Sequence, residues 1–375
     1  MVINEIHAKS LLRLHKRIDS WFLSKAGMNL YRGCQHNCVY CDGRSETYQV
    51  KGEFGRDIEV KINALDILKR ELCRPSINKQ VRQGYLMLGG GVGDSYQPVE
   101  KTYELTRKTL ESLKDRNIPI HILTKSTLIQ RDIGLIKEIH AKSPVIVSMS
   151  FSSTNDTISS IFEPGVPSPS ERLKVLSRFK KEGIPIGIYL LPVIPFVTDT
   201  IDIMRTSLEQ AKNIDVDFII FGGMTLKEGR QKEYFIKTLL SKYPDLIVDY
   251  ENIYKKDKWG NATPAYYQSI NQIFNLLAAT YEIPKRIPPR LFANILSEND
   301  KIIVILEQMD HLLKSKGKRS PYGYAAHSLS KLTEPISTIK YSLQTIQGIG
   351  PVTDKLIKEI LETGTSTYYE QLLIK

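Results

Sequence analysis

Six short apolar runs constrain the fold most: Met28–Tyr31, Tyr85–Leu88, Ile118–Thr124, Val145–Ser150, Ile184–Leu190 and Phe218–Phe221. Each is bounded by Gly, Pro or polar residues, as strands buried on both faces are. Helical spacing fills the stretches between them. Val99, Tyr103, Leu110 and Leu113 space an apolar stripe across one predicted helix, Val99 to Leu113. Ser168-Pro169-Ser170-Glu171 opens another, with Ser168 as cap, Pro169 in the first turn and Glu171 closing a capping box. Leu173, Leu176 and Phe179 then give it a buried face. Strands alternating with helices imply parallel β/α units. Six such units suit an α/β fold, a partial (β/α)6 TIM-like barrel whose functional side chains gather at the C-terminal ends of the strands.

The rest of the chain divides around that barrel. Residues 1–25 read as an amphipathic helical arm and 26–250 as the barrel. Residues 251–334 read as a helical extension, with helices over Pro264–Thr280 and Glu298–Leu313 and a basic, turn-rich linker at Lys314–Gly323. Residues 335–375 form a small C-terminal unit.

The first predicted strand runs into Cys34-Gln-His-Asn-Cys38-Val-Tyr-Cys41, a C-x3-C-x2-C spacing. Gaps this short let one loop wrap an iron–sulfur cubane so that three thiolates reach three irons. The fourth iron stays open for an exchangeable ligand. A zinc site and three unrelated thiols are the alternatives. Structural zinc usually takes four protein ligands; His36 lies too close in the loop to complete a tetrahedron easily, and Cys73 is distant. Three of four cysteines within eight residues do not make a disulfide framework.

The triad with this spacing is the signature of the radical S-adenosylmethionine (SAM) superfamily. Five further stretches sharpen the likeness: NLYRGCQHNCVYC, GDSYQPVEKTYELTR (93–107), ILTKSTLIQRD (122–132), SMSFSS followed by FEPGVPSPSERL (148–173), and GIPIGIYLLPVIP (183–195). Together, over residues 26–225, they resemble the spore photoproduct lyase-like branch, whose members are often labelled DNA repair photolyases. The resemblance implies a [4Fe–4S] cluster on Cys34, Cys38 and Cys41, SAM as second cofactor, and an electron donor such as ferredoxin or flavodoxin. It implies SAM contacts at Tyr40 (near adenine), Gly89, Gly90, Gly91, Asp94, Tyr96, Lys125 (toward the SAM carboxylate), Ser148 and Ile194. Ordinary packing, a tight turn, helix capping or a surface cation are the plainer roles for these residues. Glu163 and Arg172 read as an ion pair that fixes a loop. One departure stands out. The branch places a hydrogen-donating cysteine after the second strand, where this chain has Gly91-Val92-Gly93-Asp94. Cys73 reads as a buried structural thiol instead. Thymine-dimer repair by the known route is therefore not implied.

Near the C-terminus, Ile346-Gln-Gly348-Ile349-Gly350-Pro351 separates a short predicted helix in TIKYSLQTI from a second over Val352–Leu361. This resembles a helix-hairpin-helix, a module that binds DNA without sequence preference. Gly348 and Gly350 bring backbone N–H groups toward a phosphate, and Lys355 and Lys358 add charge. A hairpin used only for packing or protein contact is the alternative. The chain holds 52 Lys and Arg against 41 Asp and Glu, a formal charge of +11, which favours polyanionic partners. No apolar run is long enough to span a membrane and no signal core is evident, so a cytoplasmic protein is expected. The leading expectation is a radical SAM enzyme acting on nucleic acid, DNA before RNA, in repair or base modification. The alternatives are a radical SAM enzyme acting on a protein or small molecule, and a non-catalytic metal-binding adaptor.

Overall fold

The computed structural model describes residues 2–48, 50, 52–255 and 257–375. Ten strands occur among them: β1 (Val2–Ile6), β2 (Leu12–Asp19), β3 (Ser24–Met28), β4 (Tyr31–Arg32), β5 (Asp57–Lys61), β6 (Tyr85–Leu88), β7 (Ile120–Thr124), β8 (Val145–Phe151), β9 (Ile186–Val193) and β10 (Phe218–Gly223). Seven form one sheet in the order β10-β9-β8-β7-β6-β3-β2. From β3 to β10 every neighbouring pair is parallel, so six β/α strands follow one another in chain order. This is the partial (β/α)6 barrel that the apolar runs imply. β2 adds one antiparallel strand at the edge, and β1, β5 and β4 make a separate small sheet.

Alternation along the strands divides the core. Val147, Met149, Ile188, Leu190, Ile219 and Phe221 face outward and pack under the barrel helices. Ile146, Tyr189, Phe218 and Ile220 face inward and join a second core with Phe292, Leu296, Ile305 and Leu306 of the C-terminal helices. A strand presents successive side chains to opposite faces, so both faces here must be apolar. The C-terminal helices close the end of the barrel where the strands begin. Tyr85 opens β6 and donates to the Leu291 carbonyl at 2.5 Å. Asp217, just before β10, pairs with Arg290 at 2.7 Å. Lys25 in β3 pairs with Asp300 at 2.8 Å.

Several expectations are corrected. The first 25 residues are not a helical arm: β1 pairs with β5 and β2 with β3. The buried Leu11 and Ile18 are seven residues apart, a spacing that imitates a helical repeat. The first predicted strand is two, because β3 ends at Met28 and β4 starts at Tyr31 in the other sheet. The helix over Val99–Leu113 breaks at Glu104, whose φ of 52° is left-handed. The basic stretch after Lys314 is no linker between units; it is the turn joining helix Glu298–Ser315 to helix Tyr322–Leu329, which pack side by side. The TIKYSLQTI stretch (338–346) forms one 3-10 turn, Leu343–Thr345, in place of an α-helix; another 3-10 turn, Ile336–Thr338, ends as the stretch begins. Cys73 is exposed, not buried, because it lies at the C-cap of helix Ala64–Leu72. The capping box at Ser168 and Glu171 forms with Pro169 in the first turn.

Candidate active site at the strand ends

A cavity of about 370 Å³ opens inside the barrel at the C-terminal ends of its strands. Cys34, Cys38 and Cys41 line it together. Their loop is held from several sides. Arg44 donates from Nε to the Cys38 carbonyl at 3.1 Å and from Nη2 to the Asn37 side chain at 2.5 Å. Its guanidinium lies 3.5 Å from the centre of the Tyr234 ring. Gln97 donates to the Gly33 carbonyl at 3.1 Å and accepts from the Gln35 N–H at 2.9 Å. Gln231 donates to the Tyr40 carbonyl at 2.9 Å. Gly33 needs its φ of 81° here, and a side chain would strike the Asp57 carbonyl.

The donor set fits a cluster better than a single ion. Among the described residues, no group of three or more His, Cys, Asp or Glu converges closely enough to share one metal ion. The thiols instead stand around a common space, as the several irons of a cubane require. Burial pushes all three thiols up, Cys38 to about 12. Buried thiols of this kind become thiolates only when a bound cation compensates them.

A polar network ties the third and fourth strands to this loop. The Asp94 carboxylate accepts from the Tyr96 N–H at 2.8 Å, Thr124 Oγ1 at 2.7 Å, the Lys125 N–H at 2.7 Å and the His36 ring at 3.1 Å. Burial would raise its pKa, but His36 and the donated hydrogen bonds outweigh that and hold it below the usual carboxylate value. Glu163 is fully buried. It accepts from Arg172 at 2.6 Å, Lys125 at 2.8 Å, Ser159 at 2.9 Å and the Tyr40 hydroxyl. Burial works against its charge, yet Arg172 and Lys125 keep it ionised far below the carboxylate range. The expected Glu163–Arg172 pair is thus present, and it also anchors Lys125 and Tyr40. Burial and Glu163 together keep the Tyr40 phenol protonated.

The residues expected to contact SAM are only partly brought together. Tyr40, Gly90, Gly91, Asp94 and Lys125 line the cavity. Gly89 lies just outside, in an adjoining groove; its φ is 76° and a Cβ would meet the Leu123 carbonyl at 2.2 Å. Tyr96 is fully buried in the outer core and reaches the site only through its backbone N–H. Ser148 sits one layer below the cavity, bonded to His121 at 2.8 Å, and Ser150 occupies the lining position. Ile194 does not line the cavity and is buried in the apolar cluster that also holds Cys38 and Tyr40, while Leu191 and Pro192 line the wall. The sequence reading missed Arg44, Gln97, Gln231 and the wall of Gly223, Met224 and Thr225. Only the last had a signal, the position directly after a predicted strand.

At the other end of the molecule, Gly348 has a φ of 88° and Gly350 caps helix Pro351–Thr363. Ile349 between them is buried in the second core. Lys355 and Lys358 are exposed, and Lys358 pairs with Asp354 at 3.2 Å.

Comparison with known proteins fits this geometry. The Radical SAM superfamily profile matches residues 28–207, and a helix-hairpin-helix domain profile matches residues 297–366. That second span begins well before residue 335, so the hairpin belongs to a larger helical domain that includes helix Glu298–Ser315. An uncharacterized protein of Mycobacterium tuberculosis is 28% identical over 260 residues, covering 68% of this chain and 74% of that protein. An uncharacterized protein of Methanocaldococcus jannaschii is 29% identical over 249 residues, covering 62% and 88%. Among solved structures, spore photoproduct lyase complexed with dinucleoside spore photoproduct superposes with a TM-score of 0.53 at 15% identity, over 74% of this chain and 79% of that one. That likeness is one of fold. No helix among the described residues is long and apolar enough to cross a membrane. The chain thus carries a radical SAM domain match over residues 28–207, followed by a helix-hairpin-helix domain match over residues 297–366.

Proposed function

We propose that this chain reductively cleaves SAM at a [4Fe–4S] cluster held by Cys34, Cys38 and Cys41, and abstracts hydrogen from a nucleic-acid substrate in repair or base modification. The observation that carries the reading is the convergence of three cysteines, Cys34 and Cys38 buried and Cys41 half-buried, on one cavity at the strand ends. When bound, a cluster held by these cysteines and SAM would supply one-electron cleavage chemistry and a radical able to take hydrogen. The protein's own residues position the partners. Lys125 is a desolvated cation at the cavity wall, oriented by Glu163 and suited to a carboxylate. Gly90 and Gly91 leave room for close backbone approach. Asp94 is fully engaged by protein donors, which makes it an organiser of the Lys125 turn more than a free acceptor. Arg44, Gln97 and Gln231 hold the cysteine loop still.

Two features support nucleic acid as the substrate class: the net charge of +11 and the helix-hairpin-helix domain. The lyase of like fold is complexed with a dinucleoside photoproduct. Among the described residues no cysteine beyond the triad lines the cavity, so this reading includes no hydrogen-donating thiol at the second strand end. A second reading, a protein or small-molecule substrate with the hairpin as a contact module, draws on one observation. The helical domain packs at the strand starts, across the barrel from the cavity. Site-deuterated DNA and RNA oligonucleotides decide between them. Deuterium appearing in 5′-deoxyadenosine supports the nucleic-acid reading. SAM cleavage without deuterium transfer from any oligonucleotide supports the second.

A further inference from the structure

A groove of about 970 Å³ opens beside the cluster cavity, between the small sheet and the β2–β3 hairpin. Phe22, Tyr48, Gly90, Gly91 and Val92 belong to the walls of both, so groove and cavity form one continuous cleft. The outer walls carry His7, Lys9, Arg13, Arg32 and Lys61. The two acids in the groove are already engaged. Glu59 receives Arg32 at 2.6 Å, and Asp19 accepts the N–H groups of Trp21 and Phe22 at 2.8 and 3.3 Å. Lys9 and Arg13 are exposed, and among the described residues neither side chain has an ion pair or hydrogen bond. Lys61 donates to the Asn29 carbonyl at 2.5 Å. The groove therefore presents unneutralised positive charge leading to the thiols. Tyr48, 40% exposed, stands at the junction.

We propose that this cleft is the track for a phosphate-bearing substrate strand, with Lys9 and Arg13 holding backbone phosphates while one nucleotide passes Tyr48 into the cavity. The inference rests on the nucleic-acid reading above and deepens it by naming the surface. The geometry demands an unpaired nucleotide, because a reacting base must leave its stack to reach a site inside a barrel. Phosphate contacts set register, and an aromatic at the junction gives a base a face to stack on. It also separates two roles: the groove beside the cysteines orients the strand, and the hairpin across the barrel adds affinity from a distance. A plainer account exists for the basic residues of β2. That strand is the unpartnered edge of the large sheet, and charges there discourage edge-to-edge pairing.

Anisotropy titrations of the reconstituted full chain with a labelled single-stranded oligonucleotide, across a salt series, separate these accounts. The K9Q/R13Q variant is expected to bind about tenfold more weakly and to lower the salt slope by about 1.4, two phosphates at roughly 0.7 each. Tyr48→Ala is expected to lose about tenfold with an unchanged slope, the worth of one stacked base. K181Q/K212Q, the same charge change on the outer helices, controls for net charge and should match wild type. K9Q/R13Q behaving like that control would overturn the proposal and leave edge protection as the role of the β2 charge at Arg13. Loss of binding in K355Q/K358Q alone would overturn it as well, while leaving the nucleic-acid reading intact. A wild-type protein that binds no oligonucleotide at low salt would remove both.

Discussion

The two ends of the barrel are lined by the same strands and do opposite work. Inward positions recur two residues apart, so a strand that feeds the floor reaches the mouth further along. On β7 the floor residue is His121 and the mouth residue Leu123, and on β8 they are Ser148 and Ser150; on β9 Leu191 lines the mouth and Tyr189, level with Ser150, both lines it and packs on the floor aromatics. The floor is a packed plug. Tyr189 stacks on Phe22 at 5.3 Å, Phe218 meets Tyr189 edge-on at 6.2 Å, and the C-terminal helices seal it beneath. The mouth holds thiols, an ionised network and glycines around open space. One step of two residues along a strand thus separates stability from chemistry, as parallel β/α folds generally arrange it.

The contrast can be broken by substitution. The largest effect belongs to the mouth: replacing Cys34, Cys38 or Cys41 with Ala should reduce 5′-deoxyadenosine formation to background in chains that still fold, checked by anaerobic turnover alongside circular dichroism. Glu163→Gln should damage both properties. It strands Arg172, a side chain with no exposure, and releases Lys125 and Tyr40. A loss of about 3–5 kcal/mol in urea unfolding is expected, together with weaker SAM binding. Phe292→Ala, in the floor, should cost about 3–5 kcal/mol from lost burial and the cavity left behind. Its iron content per folded chain and its SAM cleavage should stay at wild-type values; a fall in either would show that the two ends are not separable.

A smaller effect is read by pH. Burial in the floor lowers the His121 imidazole from 6.5 to about 4. As pH falls, the unfolded chain takes up this proton first, so stability declines between pH 6.5 and 4, by up to about 3 kcal/mol. His121→Gln should be less stable than wild type at pH 7 and show a shallower decline through that window. Equal slopes in the two proteins would place the titration elsewhere.

How much of this was legible follows from what each segment asks of its residues. β6 to β10 are buried on both faces, and short apolar runs declare that without help. The capping box at Ser168 and Glu171 is local chemistry and forms as read. The cysteine loop is equally local. The β2 strand was not legible: it is an edge, mostly exposed on both faces, and Leu11 and Ile18 fall at helical spacing. Ser148 and Ser150 were placed on the correct face, but alternation alone does not tell floor from mouth. Depth along the barrel decides it, and depth depends on where the neighbouring strands begin. Arg44, Gln97 and Gln231 brace the cysteine loop by contacts as far as 191 residues apart in sequence, and no local pattern marks them.

The central claim is that three thiols in one mouth hold a cubane with a vacant corner. Anaerobic reconstitution followed by iron and zinc analysis tests it most directly, with SAM added under reducing conditions. The account expects about four irons per chain, cluster loss in the triple C34A/C38A/C41A variant, and 5′-deoxyadenosine from wild type alone. One tightly held zinc per chain, with SAM left intact, would contradict it.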